Sequence, residues 1–323
     1  MSLKNKRIFM TGGAGFIGTA LASRLIKDNK IIVYDTLQRN ALKRSGLSTH
    51  PNIKVIQGNV LDEGKMKNSI KDSDIIIHLA AIAGIDTVIK SSSATMEVNM
   101  IGTYNVLKGA MGLNRLDRFV DFSTSEVYGS YAYKLDERNA TKMGAVGEAR
   151  WTYAISKLAG EHLAHSYYKG SGLPVVSIRP FNIYGPGQVG EGAIHVFVTR
   201  ALKNEDITIH GEGDQIRSWC YIDDIVDAVL VCLEKKQAVG EVFNIGNPKG
   251  TTTILNLAQK ILDLSKSKSK ITFTPKSYVD VELRIPDIEK AKKLLGYNPK
   301  TDLEDGLKKT INWYRKKLKK ERK

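Results

Sequence analysis

Lys6-Arg-Ile-Phe-Met-Thr11-Gly12-Gly13-Ala14-Gly15-Phe16-Ile17-Gly18 is the stretch whose reading decides the fold. A short apolar run leads into a glycine-rich turn, and the helical spacing of Ala20, Leu21, Leu25 and Ile26 follows at once. Strand, glycine turn and helix form the context a dinucleotide site requires. Gly12 permits the tight turn, Gly15 lets the backbone approach a pyrophosphate, and Gly18 lets the helix lie close on the strand. The free N–H groups at the helix start, around Phe16 and Ile17, face the phosphates. The next strand, predicted over 31–35, ends in Asp35, about twenty residues after the loop, where a carboxylate holds ribose hydroxyls and repels a 2′-phosphate. NAD is therefore favoured over NADP, against the nearby cations Arg39 and Arg44.

Beyond Asp35 the alternation continues, with strands expected over 53–57, 75–78, 119–123 and 175–179 and a helix over 95–111. Nearly continuous apolar strands between helices predict an α/β fold: a Rossmann-type doubly wound parallel sheet covered on both faces. The segments after two strands, with Asn59 and Val60 in one and Leu79, Ala80 and Ala81 in the other, lie at carboxyl ends, where such sheets bind ligands. Pro180 closes a further strand. Beyond Gly187 the strict alternation fades, so the predicted division is a dinucleotide-binding domain over 1–180, with returns near 215–245, and a smaller α/β substrate-binding lobe over 181–323.

A helix over 149–168, with Ile155, Leu158, Ala159 and Leu163 as its apolar stripe, puts Tyr153 and Lys157 four residues apart on one face. A phenol titrates near pH ~10 and is a poor base at neutral pH unless a cation stabilises the phenolate, which Lys157 is placed to do. Tyr153 is thus a candidate general base for an alcohol.

The net charge of +15 is concentrated in the tail from Arg315 to Lys323 and in the lysines between Lys260 and Lys270. No aromatic or RNA-binding pattern accompanies it, so it reads as solvated surface rather than a nucleic-acid arm. No apolar run approaches the roughly 18 residues of a membrane span, and the start enters a strand without a signal-peptide core, so a cytoplasmic protein is expected. Cys220 and Cys232 fall in a predicted strand and helix and indicate neither a disulfide framework nor a metal site.

Together these motifs resemble the extended short-chain dehydrogenase/reductases that modify nucleotide sugars. The resemblance is carried by Gly12-x-x-Gly15-x-x-Gly18, Asp35, Leu79-Ala-Ala81, Ser123-Thr-Ser-Glu-Val-Tyr-Gly129, Tyr153-x-x-x-Lys157 and Arg179-Pro-Phe-Asn182-x-Tyr-Gly-Pro186. It covers nearly the whole chain. It implies a retained NAD, a nucleotide-diphosphate sugar as substrate and a homodimer. Tyr153 would take the proton of the C4 hydroxyl with Thr124 or Ser123 bonded to the same oxygen, and Asn182, Arg217 and Arg284 would hold the diphosphate.

Residues 124–126 separate the members of the group. The 4,6-dehydratases resembling this chain carry Thr-Asp-Glu, with Glu taking the C5 proton and Asp protonating the departing C6 hydroxyl; here the middle residue is Ser125, while Glu126 is present. The same Thr-Ser-Glu triplet occurs in UDP-glucuronate decarboxylases. Three outcomes stay open: a dehydratase similar to the UDP-N-acetylglucosamine 5,6-dehydratases, with Glu126 as base and proton shuttle, ranked first; a 4-epimerase, which needs no carboxylate at 126; and a decarboxylase, which matches the triplet although Ala81-Ile-Ala-Gly-Ile-Asp86 resembles decarboxylases poorly. A non-catalytic dinucleotide-binding protein is a distant fourth, since such relatives lose the Tyr-Lys pair.

Overall fold

The computed structural model describes residues 2–276 and 278–321. Its centre is a seven-stranded sheet in the spatial order Val242–Ile245, Val175–Pro180, Arg118–Phe122, Ile75–His78, Arg7–Thr11, Lys30–Asp35, Ile53–Gln57. Every neighbouring pair is parallel. All carboxyl ends therefore point to one edge. Strand order reverses between Arg7–Thr11 and Ile75–His78, the crevice where doubly wound sheets bind ligands.

Alternate strand residues feed two separate cores, as period-2 geometry demands. Ile8, Met10, Ile31, Val33, Ile75 and Ile77 belong to the core on one face. Phe9, Ile32, Tyr34 and Ile76 belong to the core on the other. Burial on both faces is why these strands read as continuous apolar runs.

A second, four-stranded sheet has the order Thr251–Thr253, Ile216–Ser218, Leu283–Pro286, Tyr131–Leu135. Two segments thus cross the boundary drawn at residue 180. Tyr131–Leu135 leaves the first half to join the smaller sheet, and Val242–Ile245 returns to edge the larger one. Cys220 and Cys232 are buried free thiols. Among the described residues, no helix is long and apolar enough to cross a membrane.

The helix Ala149–Ser171 lies across the second core and closes at Gly172, whose φ of +70° suits the left-handed turn that ends it. On its buried face Glu161 takes Arg179 as a fork, Nε to Oε2 at 3.0 Å and Nη2 to Oε1 at 2.5 Å. Arg179 also donates to the Tyr128 hydroxyl at 2.7 Å, and that hydroxyl donates to Asn244 Oδ1 at 2.9 Å. Removing one member of such a pair strands the other charge without water. Glu161→Ala is expected to lower unfolding free energy by about 3–5 kcal/mol, read from urea denaturation at neutral pH.

Candidate functional site

The carboxyl edge of the large sheet opens into a groove of about 490 Å³. Gly12, Gly15, Phe16, Ile17, Gly18, Asp35, Asn59, Val60, Leu79, Ala80, Ala81, Ser123, Tyr153, Lys157, Pro180 and Asn182, all singled out from the sequence, line it. Gly12 has φ +66°, and a Cβ there would lie 2.6 Å from the Ala80 nitrogen, so no larger residue fits. The helix Phe16–Leu25 begins without a side-chain cap or an acid in its first turn. Its open N–H groups suit a pyrophosphate.

Asp35 accepts the amides of Ala14 at 3.0 Å and Leu37 at 2.7 Å, which fixes its carboxylate at the mouth of the groove. Burial raises its pKa, and these two amides oppose the rise. Of the two neighbouring cations, Arg39 lines the groove with its guanidinium engaged by protein groups. Arg39 reaches across to Ala83 O at 3.0 Å, Thr87 Oγ1 at 2.8 Å and Glu191 Oε1 at 3.3 Å. The charge of Arg44 acts on His195 and Tyr314. The residues present therefore fit a dinucleotide with an unmodified ribose.

At the reacting end, Thr124 stands beside the Tyr153 hydroxyl, and its Oγ1 accepts the Glu126 amide at 3.2 Å. Burial, then the charge of Glu126, push the Tyr153 pKa above its ordinary value, while Thr124 and Arg284 oppose this. Tyr153 is thus a neutral phenol in the protein alone. Lys157 lines the same groove, but the charges acting on it are those of Asp121 and Glu161 on its inner side. Tyr153 and Lys157, four residues apart on the helix, line the same groove. His78, between Thr11 Oγ1 at 2.6 Å and Thr103 Oγ1 at 2.9 Å, is pushed down to about 3 by burial and by Lys157, and serves as a neutral brace.

Glu126 is the centre of an ionic cluster. Arg150 Nη1 donates to its Oε1 at 2.9 Å and Arg284 Nη1 at 3.4 Å. Burial works against the charge, but the two guanidinium groups outweigh it and hold the carboxyl below its usual range. Arg150 also donates to Asp280 Oδ1 at 2.8 Å, and Arg217 approaches the same oxygen at 3.2 Å. Arg217 is otherwise engaged with the carbonyls of Ile216, Glu282 and Val281. In this conformation its donors face protein rather than a diphosphate. Arg284 differs: it is 3% exposed, yet its Nε and Nη2 have no hydrogen-bond partner. Ser125 is buried beside this cluster and brings no acid to it. Asn182 donates to Ser218 O at 2.9 Å.

Two positioning residues were not evident in the sequence. Arg150 sits at the start of the Tyr153 helix, and a lone arginine there carries no signal until its partners at 126 and 280 are folded onto it. Asn99, in a turn of π-helix over Glu97–Ile101, accepts the Ile82 amide at 2.8 Å and donates to Ile82 O at 3.1 Å and Ser156 Oγ at 2.9 Å. It ties the groove wall after His78 to the Tyr153 helix. Its one sequence signal is an amide inside an apolar helical run.

The NAD dependent epimerase/dehydratase family matches residues 8–246. A UDP-N-acetyl-alpha-D-glucosaminuronate decarboxylase of Bacillus cytotoxicus is 36% identical over 320 residues, covering 96% of this chain and 98% of that one. A UDP-glucuronic acid 4-epimerase from Bacillus cereus, solved with UDP-glucuronic acid and NAD, superposes with TM-score 0.87 at 31% identity, over 97% of this chain and 99% of that one. A dTDP-glucose 4,6-dehydratase from Bacillus anthracis, solved with NAD, gives TM-score 0.84 at 29% identity over 97% and 98% of the two chains. The chain belongs to the NAD dependent epimerase/dehydratase family of extended short-chain dehydrogenase/reductases, enzymes of nucleotide sugars, and NAD is its cofactor.

Asp35→Ala removes a charged acceptor for ribose hydroxyls and is expected to weaken NAD binding by about 1.5–3 kcal/mol, roughly ten- to hundredfold, by isothermal titration. Arg39→Ala is expected to leave the preference for NAD over NADP unchanged in the same titration.

Proposed function

We propose that the chain is an NAD-dependent decarboxylase of a UDP-hexuronate, a reading that takes the place of the dehydration ranked first from the sequence. The observation that carries it is the cluster at Glu126. A dehydratase must protonate the departing C6 hydroxyl, and Glu126, the carboxyl next to Ser125, is held ionised by Arg150 and Arg284, which suits a base but makes it a poor acid. Ser125 is far too weak an acid to replace it. A uronate needs no such donor, because its C6 carbon leaves as carbon dioxide. It does need cations, and Arg284 offers two buried, unpartnered nitrogens for a carboxylate. The relative named as a glucosaminuronate decarboxylase, aligned over nearly its full length, supports the same choice.

Bound NAD supplies reversible hydride exchange at C4. Tyr153, drawn to its phenolate by the cation Lys157 that lines the same groove, takes the proton of the C4 hydroxyl, with Thr124 hydrogen-bonded to the reacting oxygen. A 4-keto group makes the C6 carboxylate that of a β-keto acid, so its C5–C6 bond breaks with the electron pair passing to O4. Tyr153, now a neutral phenol, donates to that oxygen as charge arrives there. Solvent protonates C5, and Tyr153 returns its proton when the C4 alcohol is restored. Uronate and one proton become pentose and carbon dioxide, with no net oxidation. Asn182 and Arg217 remain our assignment for the diphosphate, with Arg217 turning from its carbonyl partners when the sugar nucleotide enters.

A homodimer belongs to the same proposal. Ile89, Ile101, Tyr104 and Ile155 leave large apolar side chains exposed on helices that pack against one another.

The test is incubation of the purified protein with UDP-glucuronate and with its 2-acetamido analogue, assayed for carbon dioxide and for the UDP-pentose by mass spectrometry. Release of carbon dioxide from either uronate, with UDP-N-acetylglucosamine unchanged, is expected. A C4 epimer that keeps C6, or a dehydrated product from the neutral sugar, overturns the reading. Arg284→Ala is expected to lower decarboxylation by two orders of magnitude or more, by about 2.7–4 kcal/mol of lost transition-state stabilisation.

A further inference from the structure

An acid behind Lys157 has no part in the chemistry above. Asp121 lies on the central strand Arg118–Phe122 and is 1% exposed. Its Oδ2 accepts Ser177 Oγ at 3.3 Å, while its Oδ1 has no partner. A carboxylate stripped of water with one oxygen unpaired is strongly unfavourable unless a cation stands near it.

The groups facing Asp121 come from three elements. His78, directly opposite in register on one neighbouring strand, is a neutral ring held by two threonines. Ser177, opposite on the other neighbouring strand, is uncharged, and Arg179 further along that strand is taken by the Glu161 fork. The covering helix contributes Lys157 and Glu161, both of which act on Asp121. Glu161 has Arg179 as its own counter-charge. Among the described residues that face it, Lys157 is therefore the cation left for Asp121, acting through its charge rather than through a direct ion pair.

We propose that Asp121 is the buried counter-charge of Lys157, a positioning residue that keeps the lysine cationic and correctly placed in the groove during oxidation of the sugar. Lys157 is 3% exposed, and a buried ammonium tends to shed its proton. Burial does lower its pKa, and Asp121, followed by Glu161, opposes the fall. Burial in turn pushes Asp121 up to about 6, with Lys157 pulling it back. The sign for activity follows. While Asp121 is ionised, Lys157 keeps its proton to higher pH; without that charge the proton is lost at lower pH, and the alkaline limb of the oxidation step moves down.

The experiment uses the NAD-loaded protein. The single-turnover rate of bound-cofactor reduction, followed by absorbance, is measured against pH for wild type, Asp121→Asn and Asp121→Glu. The asparagine keeps size and the Ser177 contact but removes the charge, and is expected to move the alkaline limb down by about 1–3 pH units. The glutamate restores the charge and is expected to return the limb toward wild type. An alkaline limb unmoved in Asp121→Asn overturns the proposal. A second reading needs no turnover: thermal midpoints of Lys157→Met, Asp121→Asn and the double variant at neutral pH. Lys157→Met leaves a lone buried carboxylate and is expected to lower the midpoint, and adding Asp121→Asn is expected to recover part of the loss. Strictly additive losses contradict the pairing. Oxidation at C4 precedes decarboxylation, epimerisation and dehydration alike, so these results stand or fall independently of the product formed.

Discussion

One face of one helix has to keep charges in a place without water, and the site is built from the solutions. Arg150, Tyr153, Lys157 and Glu161 follow one another at spacings of three and four along Ala149–Ser171, so they share a face. Each is buried or half-buried, and each is answered by a different part of the chain. Arg150 meets Glu126 and Asp280, Tyr153 lies beside Thr124, Lys157 is acted on by the charge of Asp121, and Glu161 forks with Arg179. These pairings bind the helix to the large sheet and also, through Asp280, to the segment that carries Arg284. The groove wall, the reacting tyrosine and the sugar side of the site are therefore positioned by a common set of contacts.

The same arrangement separates what is general from what is specific. On the proposed reading, Tyr153 and Thr124 open any reaction that begins by oxidising a sugar hydroxyl. The upper end of the helix face selects among them, because Arg150 and Arg284 decide whether Glu126 is an acid or an anion. Held as an anion, it keeps two guanidinium groups in place and gives no proton away. Three arginines against the carboxylates of Glu126 and Asp280 leave one positive charge uncompensated, which suits a substrate that carries a carboxylate as well as a diphosphate.

Local patterns in the sequence carried the sheet and the cofactor groove. The glycine loop, Asp35 and the strand-end segments at 59–60 and 79–81 act through their own backbones, so neighbours in sequence suffice to recognise them. The Tyr153 helix was visible for the same reason. What stayed hidden depends on contacts between remote segments: Arg150 with Asp280, Arg39 with Glu191, Asn99 with Ile82 and Ser156, Asp121 beside Lys157. Asp121 is the clearest instance, an acid inside an apolar strand whose meaning appears only when strand register sets it between His78 and Ser177. The strand Tyr131–Leu135 escaped notice because it pairs with Leu283–Pro286, far along the chain.

The central claim is that C4 is oxidised and C6 is then lost while Glu126 remains an anion. The most direct measurement is NMR of the product formed from a 6-13C-labelled UDP-hexuronate in D2O. The account predicts labelled carbon dioxide and a UDP-pentose carrying one deuteron at C5. A product that retains the labelled carbon contradicts it.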